Sequence, residues 1–402
     1  MMRKTTIAAA LFAALAALPL QAAQPLLAAR ASDQVPRTVE RAPLPAGPVE
    51  QEPLSFAWAL DPAQTLTPAP TFMASSRSYW EMVDAPALQQ GLALPLTAPD
   101  AVIQLSPVQG ARALDTTQWQ VRDPAGALAV AKVVDDQQLR AAGMPVGPGT
   151  AMVRTGATSA AGSYRLQSTQ AQGRYVVQVL EPNSPIALQL QASSDRVLAG
   201  GTLALSARLV NDGGLAAAQA ARARPLPLPA VGEALLVAPD GRSWPVPLVA
   251  AKDGLRAQVT VPQDIGTAQG LWELQAFVSA DGVQRDAKVA FAVAQATARF
   301  QGQVEADASR REVRLPLQIG APGRYEARGT LYATGQDGQL RPVAQAHSAA
   351  WFAMAGAGEL RLPFASVALP SGYAAPFEVR DLQLQDQSRM APIESRAVAV
   401  RF

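Results

Sequence analysis

GEALLVAPDGRSWPVPL, residues 232–248, is two apolar runs joined by a turn. Apolar residues run up to Pro239-Asp240-Gly241 and resume beyond it. Asp-Gly between two apolar runs predicts a β-hairpin, because the turn needs a positive φ and glycine adopts one without strain. Two further stretches read the same way. WQVRDPAGALAVAKV, residues 119–133, turns at Pro124–Gly126, and TLYATGQDGQLRPVAQ, residues 330–345, turns at Gln336–Gly338. A small residue and an aromatic follow each copy and open another strand: Gly173-Arg174-Tyr175, Gly270-Leu271-Trp272 and Pro376-Phe377.

Working outward, alternating apolar runs recur roughly every 8–12 residues with turn residues between them, the pattern of an all-β chain. The fold class expected is tandem immunoglobulin-like β-sandwich domains, at residues 71–182, 183–294 and 295–402. Short helices are expected only at Asp135–Ala142 and in the Ala-rich run Leu215–Arg224. Residues 24–70 read as a Pro/Ala-rich linker, extended and mobile, since six prolines between 24 and 53 exclude helix and central strand. One piece of it, LSFAWAL at 54–60, is a candidate docking strand for the first sandwich.

Met1–Ala23 has the form of a secretory signal peptide. Arg3 and Lys4 precede an apolar core, Ile7–Leu18, too short to span a bilayer, and small residues close it at Ala22-Ala23. The chain is therefore expected to be exported, periplasmic or extracellular, with no membrane span after processing. Of 34 basic residues, two leave with the signal, so the remainder balances the 32 acidic ones. No basic face is left over to track phosphates, and nucleic acid is excluded as a partner. There is no cysteine, which removes disulfides, thiolate metal sites and a cysteine nucleophile together.

Chemistry is hard to find. His347 is the only histidine, beside Ser348 and Trp351 on an expected strand, and a zinc site or a Ser-His-Asp triad cannot be built from it alone. The nearest paired carboxylates, Asp135-Asp136 and Glu50/Glu52, sit in a polar turn and in the linker, where both look solvated. Asp195, Asp212, Asp240 and Asp281 are the candidate calcium ligands, but turn geometry alone accounts for aspartate at such places. Gly143–Gly149 contains prolines and cannot form a phosphate cradle. Tyr79-Trp80 could be a ligand platform, although adjacent strand residues face opposite ways and one ring belongs in the core.

SRSYWEMVDAPALQQGLALPLTAPDAVIQLSP, residues 76–107, FAWALDP before it, and the C-terminal GRYEARGTLYATGQDGQ, GELRLPF and APFEVRDLQLQD together resemble an exported bacterial family of unknown function (domain-of-unknown-function family 4785). That resemblance implies strings of immunoglobulin-like sandwiches and export, and it carries no site residues. The functional expectation is a non-enzymatic exported protein acting by binding a protein or an envelope component. No catalytic, cofactor-binding or metal-binding residue is assigned, and no cofactor is expected. The alternatives are an accessory or processing factor for another secreted protein, and a hydrolase with an unrecognised carboxylate site.

Overall fold

The computed structural model describes residues 23–67, 72–113, 115–213, 224–226, 229–266 and 268–402. The expected signal peptide, all but Ala23, and the expected helix at 215–224, all but Arg224, lie outside the described residues. Within them the chain is nearly all β, in sheets that are antiparallel apart from one short parallel pair, Arg196–Leu198 with Val283–Ala294. Among the described residues there are two short α-helices. Asp136–Ala141 starts at a capping box between Asp135 and Gln138. Ala85–Gln90, not expected from the sequence, is set off by Pro86 in its first turn and ends at Gly91.

The three turns singled out in the sequence share one hydrogen-bond pattern. The N–H groups of Gly126, Gly241 and Gly338 bond back to the carbonyls of Asp123, Ala238 and Gly335. Those three residues in turn donate to the carbonyls of Ala127, Arg242 and Gln339. All three glycines have positive φ, between 76° and 86°. Beyond the turn the copies differ. Val231–Val237 pairs with Ser243–Val246, and Gly323–Gly335 pairs with Leu340–Phe352 over its whole length. In the first copy the strands part after a single bridge, Arg122 to Leu128, and Val130–Val134 joins Ala151–Thr155 in another sheet.

The described residues form two compact units, one of those between 23 and 67 with 295–402, the other of those between 72 and 294. In the first, Leu54–Ala59 is an edge strand on Leu340–Phe352, followed across the sheet by Gly323–Gly335, Tyr373–Asp386 and Ala391–Arg401. A second sheet is centred on Glu312–Ile319, with Ala23–Pro25 at one edge. Val313, Leu315, Leu317, Tyr325, Leu331 and Val379 fill the core. The N-terminal segment is thus not a mobile linker docked on the first sandwich. It is an arm bound to the C-terminal module. Leu27 N–H bonds to the carbonyl of Ala399, and Gln34 and Asp33 accept from the N–H groups of Ser395 and Ala397. Arg324 reaches the carbonyls of Glu50 and Glu52, and Arg389 those of Ala42 and Pro43. Prolines donate no N–H, so a Pro-rich segment lies along an edge by lending carbonyls to arginines.

The second unit contains two hydrophobic cores. One gathers residues from Tyr79 to Val179, the other residues from Leu188 to Phe291, so the expected boundary at 182/183 falls between two cores inside one unit. A ten-stranded sheet serves both, because Ser78–Asp84 of the first sandwich meets Val283–Ala294 of the second at Asp286 and Ser78. The same stretch of chain also enters the other layer. Met73–Ser76 pairs with Ile186–Ala192, and Arg77 is the elbow between the two strands. Trp272 and Tyr175, the aromatics that open the late strands, are buried here, as is Phe377 in the first unit.

Candidate functional site

The elbow at Arg77 rests on a buried ionic cluster. Arg285 and Glu181 have side chains without solvent exposure and meet at 2.5 Å. Arg285 Nη2 also donates to Thr97 Oγ1 at 2.8 Å and Ser184 Oγ at 2.9 Å. Glu181 accepts from the Thr97 N–H and, at 2.8 Å, from its hydroxyl. Arg77 closes the cluster on the carbonyl of Ser184 and on Asp212 at 2.6 Å. Burial holds the Arg285 guanidinium below its usual range, opposed by Glu181. Every polar group here has a partner within the fold, so the cluster fixes one sandwich against the other.

The neighbouring residue faces the opposite way. Val283, Arg285, Ala287 and Val289 point inward, so Asp286 and Lys288 stand on the outer face. Register sets Asp286 opposite Phe277 on one side and Ser78 on the other, and Gln178 opposite Trp80. With Ser75 and Ser76 from the other strand of the elbow, these residues line an open cleft of about 470 Å³. Trp80 is 39% exposed, and its ring meets Phe277 edge to face at 5.3 Å. On the cleft floor two oxygens, Asp286 Oδ2 and Ser75 Oγ, are shielded from water and have no hydrogen-bond partner. Burial pushes the Asp286 carboxyl up to about 6, against the lowering effect of the Trp80 N–H and of Arg285. Lys288 does not relieve it, because its ammonium bonds to Glu273 at 2.9 Å.

The structure scatters the residues considered in the sequence. Asp135 caps its helix, and Asp136 bonds to Arg140 and the Gly149 N–H. Glu50 accepts from the Glu52 N–H. Asp240 accepts from Arg242 in its own turn, Asp195 pairs with Arg196, Asp212 with Arg77, and Asp281 stands in a turn at positive φ. Among the described residues no group of three His, Asp or Glu side chains is placed to hold a metal ion. His347 pairs through Nδ1 with Glu326 at 2.5 Å and packs against both Phe56 and Trp58, ring centres 5.3 and 5.0 Å away, while those two rings stack on each other at 5.7 Å. Ser348 points to the other face of the strand and is buried. Of the Tyr79-Trp80 pair, Tyr79 is core and Trp80 lines the cleft. Asp286 and Glu181 escape a reading of the sequence. The available signal is Arg285, a charged residue at an inward position of an alternating strand.

Sequence comparison matches residues 45–181 to the domain of unknown function DUF4785, N-terminal domain, and residues 297–402 to its C-terminal domain. The chain belongs to the DUF4785 family. The N-terminal match includes Leu54–Ala59, the strand that completes a sheet of the C-terminal module. A DUF4785 family protein from Legionella pneumophila, of known crystal structure, is 18% identical, with 92% of this chain and 99% of that one covered and a TM-score of 0.66. The two share the fold. Weaker likenesses are to a Salmonella alpha-2-macroglobulin mutant (13% identity, 86% and 24% covered, TM-score 0.23) and the Escherichia coli adhesin FdeC (13%, 82% and 99%, 0.19). At those scores they carry no argument. No curated protein matches. No helix among the described residues is long and apolar enough to cross a membrane.

Proposed function

We propose that this DUF4785 protein is exported and works by binding, with the cleft beside Trp80 as its ligand seat. One observation carries the reading: a shielded carboxylate oxygen without a partner, Asp286 Oδ2, lies on the floor of an open cleft with an exposed aromatic wall. Buried polar groups ordinarily find partners within the fold, and a group that lacks one marks a place where a partner arrives from outside. Binding is favoured over hydrolysis because Asp286 is the one carboxylate among the lining residues. Carboxylate-driven glycoside hydrolysis needs two, and acyl transfer needs a nucleophile with a base. Export rests on the form of Met1–Ala23.

Two experiments test this. Cell fractionation should recover a mature chain beginning near Gln24 outside the cytoplasm, and a full-length cytoplasmic chain would count against export. Envelope polysaccharide, peptide and lipid fractions should be screened for retention by the mature protein and by Trp80→Ala. Retention that Trp80→Ala abolishes supports the seat, whereas identical retention by both proteins removes it.

A further inference from the structure

We infer that the ligand of this cleft presents a cationic amine, seated against the Trp80 ring with its charge held by the Asp286 carboxylate. The inference rests on the cleft being a binding seat and adds the chemistry of what it binds.

The charges around the cleft decide the sign. On the strand of Asp286, Arg285 faces the opposite side and is consumed by Glu181. Lys288 faces the cleft but is neutralised by Glu273 from the adjoining strand. The elbow contributes Arg77, which is paired with Asp212. Glu81, the carboxylate of the Ser78–Asp84 strand nearest to Trp80, alternates onto the other face. The ionised Asp286 therefore leaves one uncompensated negative charge under a shielded floor. A hydroxyl would offer such a group one hydrogen bond and no charge. An ammonium offers three N–H donors and a full positive charge, which counts for more where water is excluded. It also suits the wall, since a cation over an indole face is attracted by the ring quadrupole. Ser75 Oγ, the second floor oxygen without a partner, is another acceptor for it. A lysine side chain, an amino sugar and a polyamine share this chemistry.

The test titrates the mature protein and its variants with Nα-acetyl-lysine amide, glucosamine and putrescine, each beside its fully N-acetylated neutral counterpart, measures affinity by titration calorimetry, and follows the Trp80 indole of the wild type by NMR. Which amine binds best identifies the source. Amines should bind at least about tenfold more tightly than their neutral counterparts, the size of one favourable charge contact. Asp286→Asn should remove that preference while staying folded, and amine affinity should fall as the pH drops below about 6. Equal binding of neutral and amine probes, lost in Trp80→Ala, would overturn the amine inference and keep the seat. Amine binding unchanged in Asp286→Asn would also overturn it. If no probe of either charge shifts the Trp80 signal, the inference falls, and the seat is then judged by the Trp80→Ala retention comparison alone.

Discussion

Two adjacent residues, Arg285 and Asp286, carry opposite burdens because a strand turns successive side chains to opposite faces. Asp286 is destabilising when charged. Its folded pKa, about 6, lies above the roughly 3.9 of an unfolded chain. The folded state therefore keeps the proton over a range where the unfolded chain has lost it. Stability from this group is fully present below about pH 4 and declines as the pH rises toward 6. Asn mimics the neutral acid, so Asp286→Asn should melt with the wild type at pH 4 and above it at pH 7, by scanning calorimetry. A wild type that gains on the variant as pH rises would refute this. Arg285→Met should cost about 3–5 kcal/mol, because it strands Glu181 as an unpaired buried charge. Adding Glu181→Gln should restore part of the loss, since the amide still accepts from the Thr97 N–H. A single variant melting within a degree of wild type would show that the pair contributes nothing.

At the scale of elements, the arm is the feature that composition misrepresents. Leu54–Ala59 covers the edge of Leu340–Phe352, and residues 27–34 lie along Ala391–Arg401. Both strands would otherwise present open ladders, which invite pairing between chains. Phe56 and Trp58 remain about 40% exposed because they sit on an edge strand, stacked on His347 rather than sunk in the core. A protease site inserted at residues 65–67, all exposed, should allow cleavage without release. The fragment ending there should co-elute with the rest of the chain on size exclusion and leave only in denaturant. Separation of the two pieces in buffer would mean that the arm is the loose linker its prolines suggest.

At the scale of the whole molecule, the grouping of the described residues between 72 and 294 changes what a core mutation does. Trp272 is 2% exposed and stacks on Trp244 at 5.6 Å, so Trp272→Ala should cost about 3–5 kcal/mol. Were its sandwich independent, only that sandwich would melt early. With a shared sheet and the buried Glu181–Arg285 pair, both sandwiches of the unit should lose stability together, while residues 295–402 keep their transition. Hydrogen exchange at Val177 and Leu274 distinguishes the outcomes, and protection retained at Val177 would show that the sandwiches unfold separately. The strand alternation, the three glycine turns, the inward aromatics at Tyr175, Trp272 and Phe377, and the membership of an all-β family are legible in the order of residues alone. Those are local matters, fixed by a period of two and by which residues tolerate a positive φ. That the proline-rich arm belongs to the C-terminal module, that Arg285 finds Glu181 far along the chain, and that Trp80 and Asp286 share one cleft follow from the folded arrangement. Pairing across such separations depends on which edges and which buried charges are left without partners once the local pieces have formed, and no local pattern records that.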